Sequence, residues 1–150
     1  MRLVIQRVRE ASVEINGGVH SRIGRGLLIL IGIAEGDTTE DMEWLAQKAV
    51  ALRIFDDSEG VMNLSVRDIA GEIMVVSQFT LNASTKKGNR PSYIRAAGHS
   101  LAIPLYEEFC KRVSELNKRE VKRGIFGENM QVSLINDGPV TIIIDSRLRE

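Results

Sequence analysis

Hydrophobic and polar positions change their period several times along the 150 residues, and each change marks an element. Residues 2 to 9 alternate in part and are rich in Val and Ile. Ala11 to Ile15 and Val19 to Ile23 then flank Asn16-Gly17-Gly18, whose glycines accept the positive φ of a tight hairpin turn. Three strands are predicted there. Gly26 to Ala34 is apolar throughout, which predicts a strand buried on both faces at the centre of a sheet. Asp37-Thr-Thr-Glu40 has the spacing of a capping box. Met42, Leu45, Ala46, Ala49 and Leu52 follow at helical intervals, so a helix is expected from about Thr38 to Arg53.

Asp56 to Gly60 reads as a turn, and Glu72 to Leu81 returns to a strand that ends in Ser77-Gln78-Phe79-Thr80. Residues 82 to 92 form a polar loop. A second helix is predicted from about Leu101 to Leu116, with Leu105, Phe109, Val113 and Leu116 on one side and Pro104 near its first turn, where a missing N–H costs little. Met130 to Ile135 and Val140 to Asp145 read as two more strands joined through Asn136-Asp137-Gly138-Pro139. No repeat or linker interrupts this order. The expected architecture is one α+β domain over residues 1–150, a mainly antiparallel β-sheet or barrel covered by two main helices.

Composition narrows the function more than the fold. A chain of this length buries roughly 70% of its unfolded surface, enough for an ordinary core. Apolar residues at 43% and charged residues at 27% argue against disorder. The longest apolar run falls far short of the roughly 20 residues that span a bilayer, and Met1-Arg2 leads into no signal-type segment, so a cytoplasmic location is expected. The single cysteine, Cys110, lies in the amphipathic pattern of the second helix and reads as core. Twenty Lys and Arg balance twenty Asp and Glu, so there is no global field for nucleic acid. Any RNA contact has to be local, and Lys86, Lys87 and Arg90 form one local cluster.

The familiar hydrolytic machineries are missing. His20 and His99 are the only histidines, and neither lies in a nucleophile-elbow or zinc motif; each reads as a surface or capping residue. No metal and no cofactor is predicted. Two polar signatures remain. Ser77 to Thr80 offers hydroxyls, an amide and, where strand pairing stops, backbone N–H groups able to hold an oxyanion; a strand that merely ends in polar residues is the plainer reading. Gly138-Pro139 is either a simple hairpin turn or a specialised backbone element, since an X-Pro bond tolerates the cis form.

Taken together, Ser77-Gln-Phe-Thr-Leu81 and Asn136-Asp-Gly-Pro-Val-Thr141 resemble the two signature motifs of the D-aminoacyl-tRNA deacylase family. Gln6-Arg7-Val8, Gly26-Leu-Leu28, Arg53-Ile-Phe55, Met62-Asn-Leu64, Arg90-Pro-Ser92 and Met130-Gln-Val-Ser133 resemble it in the same order, so the likeness spans nearly the whole chain.

The resemblance implies a proofreading hydrolase that cuts the ester of D-aminoacyl-tRNA, and of glycyl-tRNA, while rejecting L-aminoacyl-tRNA. It implies a homodimer with active sites at the subunit interface, each completed by the Gly-cisPro element of the other subunit, here Gly138 and Pro139. Ser77, Phe79 and Thr80 would be the catalytic residues, with Gln78 and Met130 beside them in contact with the substrate, and Arg7 would hold the Gly-Pro backbone. Lys86, Lys87 and Arg90 become candidates for tRNA phosphates. Two alternatives stand beside this reading. One is a related deacylase of the same fold that removes misplaced L-alanine, against which Phe79 and the Asn136 to Thr141 motif speak. The other is a noncatalytic nucleic-acid-binding dimer of the same fold.

Overall fold

A single long strand, β1 (Arg2–Ile15), takes the place of the two expected over residues 2–9 and 11–15 in the computed structural model, which describes residues 1–150. Its register with the last strand shifts between Val8 and Glu10, so the chain carries a bulge where a break was predicted. Asn16 (φ 52°) and Gly17 (φ 80°) make the turn into β2 (Gly18–Ile23). The positive φ at both positions suits a primed hairpin turn. β3 (Gly26–Gly32) continues along the same edge of β1, antiparallel to it over Arg2 to Val8.

The helix that follows, α1 (Thr39–Ala51), starts one residue later in its capping than the sequence suggests. Thr38 is the N-cap and Asp41 the reciprocal partner of the capping box. Asp37 is not available for the task. Its side chain is fully buried, accepts the Ala34 N–H and pairs with the Met1 ammonium and Arg147. A small ribbon, β4 (Phe55–Asp56) with β5 (Met62–Leu64), leads to β6 (Glu72–Ser77), which lies parallel to β3. Contrary to expectation the strand does not reach Leu81: it stops at Ser77, and Phe79–Asn82 form a 3-10 turn.

α2 (His99–Asn117) begins two residues before its predicted start, which places Pro104 in its second turn. β7 (Lys122–Arg123) adds a short parallel edge to β6. β8 (Gln131–Asp145) is one strand of 15 residues where two were expected. Both of its halves pair antiparallel with β1, on the edge opposite β2 and β3, so residues 136–139 are not a hairpin turn.

β3 explains its own composition. Leu27, Ile29 and Ile31 face the larger core with Leu45, Ala49, Leu105, Phe109 and Val113 of the helices. Leu28 faces a smaller core on the other side of the sheet with Val8, Val13, Met74 and Val76. Each such buried aliphatic side chain contributes roughly 1.5–3 kcal/mol by leaving water. Cys110 lies in the larger core, where burial pushes its thiol up to about 12, so it stays protonated and inert as a nucleophile. No helix is long and apolar enough to cross a membrane.

Candidate active site

Two parallel strands ending side by side create the site. β3 and β6 are paired to Ile31 and Ser77, and the Gln78 N–H is spent on the Ile31 carbonyl at 2.8 Å. Beyond that bond the chain turns at once into the 3-10 turn. In an i to i+3 pattern the first bonded N–H here is that of Leu81, to the Gln78 carbonyl at 3.2 Å. The N–H groups of Phe79 and Thr80, at its first two positions, therefore have no partner within the turn. The turn sits directly on β3: a Cβ at Gly32 would lie 2.8 Å from Leu81 Cβ and 3.2 Å from the Gln78 carbonyl oxygen. Glycine is required there by close approach.

A cleft of about 640 Å³ opens at this end of the sheet. Ser77, Gln78 and Phe79 form one wall, Met130 and Phe126 another, and Ala96, Ala97, His99 and Ala102 close it from the side of α2. The structure brings Ser77, Gln78, Phe79 and Met130 together on this cleft. Thr80 does not line the cleft; its hydroxyl accepts a hydrogen bond from the Gln78 amide.

Three lining residues carry functional potential that the sequence reading passed over. Tyr93 stands edge-on to Phe79 with ring centres 5.0 Å apart, and His99 stands edge-on to Phe126 at 5.6 Å. His99, expected as a surface or capping residue, is exposed at the start of α2 and also lines the cleft. In a chain with only 5% aromatic residues, Tyr93 was within reach, since it directly follows Arg90-Pro-Ser92; nothing local to Phe126 or His99 announces them. Half-exposed aromatic rings beside polar groups provide faces on which a nucleobase stacks.

Gly138, Pro139 and Arg7 lie elsewhere on the chain and line no part of this cleft. Gln6 pairs with Thr141 and Val8 with Asn136, so residues 137–140 loop outward opposite the single residue Arg7. Asn136 closes the neck of this excursion: its side chain accepts the Val140 N–H at 2.7 Å and donates to the Val140 carbonyl at 3.2 Å. Arg7, largely buried, braces it by donating from Nε to the Asp137 carbonyl at 2.7 Å and from a terminal nitrogen to the Ile54 carbonyl at 2.6 Å. The Gly138–Pro139 bond is cis, and both residues are exposed at the tip. Gly138 has φ 147°, and a Cβ there would meet Val140 at 2.8 Å, so the position demands glycine.

Lys86, Lys87 and Arg90 are exposed on a flap whose base is closed by reciprocal backbone bonds between Ser84 and Ser92 at 2.8 and 2.9 Å. Tyr93 follows that base directly, so the flap stands beside the cleft without lining it.

The family model described as D-Tyr-tRNA(Tyr) deacylase matches residues 4–145. A Porphyromonas gingivalis protein named D-aminoacyl-tRNA deacylase is 62% identical over 150 residues, the whole of both chains. One of the same name from Akkermansia muciniphila is 63% identical over the same full length. A solved structure described as c-Myc DNA Unwinding Element Binding Protein shares the fold with a TM-score of 0.92 and 40% identity, covering 97% of this chain and 98% of its own. With the match running through both the 3-10 turn and the Arg7-braced excursion, the chain belongs to the D-Tyr-tRNA(Tyr) deacylase family of enzymes.

Proposed function

We propose that this chain hydrolyses the ester of D-aminoacyl-tRNA, and of glycyl-tRNA, in the cytoplasm, and that it does so as a homodimer. The observation that carries the reading is the pair of N–H groups at Phe79 and Thr80 that have no partner within the 3-10 turn, with Phe79 itself on the wall of an aromatic-lined cleft. Such donors stabilise the oxyanion that forms when water attacks an aminoacyl ester, and removing one from an enzyme typically costs about 10²–10³ in rate. The terminal adenosine stacks among Tyr93, Phe126 and Phe79 and the amino acid lies toward Met130. Ser77 and the Gln78 amide border the ester, which is already activated, so positioning and backbone donors supply the catalysis.

Homodimerisation is supported by what one chain lacks. The Gly138–Pro139 tip is exposed and lines no part of its own cleft, and β8, which pairs with β1 alone, leaves its outer edge free with Ile135 and Ile143 exposed. A long open edge with apolar side chains is a surface that proteins cover. In the dimer, each tip enters the cleft of the partner and sets rigid carbonyl groups against the substrate α-carbon. An L side chain meets that wall; a D side chain or the hydrogen of glycine does not. Lys86, Lys87 and Arg90 on the flap take phosphates of the acceptor stem.

The test is hydrolysis of D-tyrosyl-, glycyl-, L-tyrosyl- and L-alanyl-tRNA by the purified chain. Cleavage of the first two alone is expected. Cleavage of the L-alanyl ester in preference would assign the chain to a different editing role. A second reading, nucleic-acid binding without catalysis, is favoured only by the description of the 40% identical neighbour, and it requires that no ester be cleaved.

Thr80→Ala separates backbone from side-chain catalysis. The Thr80 hydroxyl is held by the Gln78 amide, whereas its N–H survives the substitution. Turnover of D-tyrosyl-tRNA should therefore fall by less than about tenfold, against the 10²–10³ expected for loss of an oxyanion donor. Complete loss of kcat with unchanged binding would show that the hydroxyl reacts directly.

A further inference from the structure

A second cleft lies behind the wall of the first, and its residues have no part in the chemistry above. The segment Tyr93 to Ala97 is the partition: Tyr93, Ala96 and Ala97 face the candidate active site, whereas Ile94 and Arg95 face a groove of about 400 Å³. Three guanidinium groups, Arg2, Arg95 and Arg147, line this groove. Arg2 is occupied, bonded to Asp145 and to the Leu81 carbonyl. Arg95 uses one nitrogen, on the Ala83 carbonyl at 3.2 Å, and Arg147 uses one, shared between the Glu35 carbonyl and Asp37. Both therefore keep further N–H donors turned to no group of the chain. Of the acidic residues nearby, Asp145 is paired with Arg2 and Asp37 with Arg147 and the Met1 ammonium; Glu35 has no cationic partner, but one of its carboxylate oxygens is turned to the Gly98 N–H.

Apolar side chains flank these charges in the open. Ile94 is 86% exposed and Leu148 65% exposed, both on the same groove. Free guanidinium donors between exposed aliphatic surfaces match a single-stranded nucleotide, with phosphate on the arginines and base or ribose on the aliphatic side chains. Continuity supplies the direction, since the groove begins one residue from Tyr93.

We infer that the Arg95–Arg147 groove binds the unpaired nucleotides that precede the terminal adenosine of the tRNA, holding their phosphates while the aminoacyl end occupies the cleft beyond Tyr93. This assignment rests on the deacylase reading.

The experiment compares D-tyrosyl-tRNA with the D-tyrosyl ester of adenosine, which ends at the cleft and cannot reach the groove. For Arg95→Ser, KM for the tRNA ester should rise at least about fivefold with kcat kept, and the dependence of log KM on log salt should become shallower by about one. Kinetics on the adenosine ester should not change. Ile94→Asp, at a side chain so exposed that folding is indifferent to it, should likewise raise KM on the tRNA ester alone. Equal effects on the two esters, or no effect on the tRNA ester, would overturn the groove assignment and leave the deacylase reading intact. A wild-type chain inert on both esters would overturn the deacylase reading and the groove assignment with it.

Discussion

Arg7→Ala is expected to turn L-tyrosyl-tRNA into a substrate and to lower the unfolding free energy by about 3 kcal/mol, two charge-assisted hydrogen bonds at roughly 1.5 kcal/mol each. The side chain is 8% exposed and spans two carbonyls from different parts of the chain, those of Asp137 and Ile54. Its loss leaves both acceptors short of a partner and removes the brace from residues 137–140, which have no strand partner of their own. A wall that yields no longer excludes an L side chain, and each 1.4 kcal/mol of lost exclusion is a factor of about ten in discrimination. The D to L ratio should fall by more than that factor while cleavage of the D ester declines far less. Arg7→Lys provides the control: a single ammonium on a flexible stem cannot reproduce the fixed fork, so it should restore part of the stability and little of the selectivity. Denaturant unfolding and hydrolysis of the paired D and L esters measure the two effects separately. A folded Arg7→Ala protein that still rejects L-tyrosyl-tRNA would rule out Arg7 as the brace of the chiral filter.

That same brace shows where sequence reading runs out. Periodicity found β3 and both helices, because burial on both faces of a strand and on one stripe of a helix leaves a direct record in residue type. It split β1 and β8, because a bulge at Arg9 and an outward loop at residues 137–140 interrupt alternation as a turn does, and only the partner strand tells them apart. Asp37 was misread for a related reason. Its spacing to Glu40 fits a capping box, but the competition came from Met1 and Arg147, at the two ends of the sequence. Ser77 to Phe79 and Met130 are grouped by their motifs, and the structure sets them on one cleft. His99 and Phe126 are not so grouped, since what places them on the cleft is the docking of α2 and the following loop against the sheet. The 3-10 turn, which frees two N–H groups, is equally invisible in Ser-Gln-Phe-Thr taken as a strand end.

Asp37→Asn should cost about 3–5 kcal/mol, the range for breaking a buried ion pair from one side. The carboxylate is fully buried between donors only: the Met1 ammonium at 2.7 Å, Arg147 at 2.8 Å and the Ala34 N–H at 2.6 Å. An asparagine keeps the shape but offers one oxygen. Whichever way its amide is turned, the NH₂ faces a donor: the Ala34 N–H in one orientation, and in the other both Arg147 and the Met1 ammonium, which then keeps only the Ser146 hydroxyl as acceptor; in either case the charge that balances the ammonium is gone. The damage falls on a junction of three segments, the start of β1, the turn after β3 and the tail after β8, where the Ser146 N–H also bonds the Met1 carbonyl at 2.9 Å. Asp145→Asn is the comparison. It removes a carboxylate paired to Arg2, the two side chains being 20% and 40% exposed, and a pair that water still reaches contributes about 1 kcal/mol or less. Urea titrations of the two variants should therefore separate by several kcal/mol, and added salt should leave the Asp37 deficit in place because buried pairs are poorly screened. The junction also reaches the cleft, since Glu35 in the same turn accepts the N–H of Gly98, the residue that caps α2 ahead of His99. An Asp37→Asn protein within 1 kcal/mol of wild type would mean that the ammonium finds another acceptor and that the junction is not held by charge.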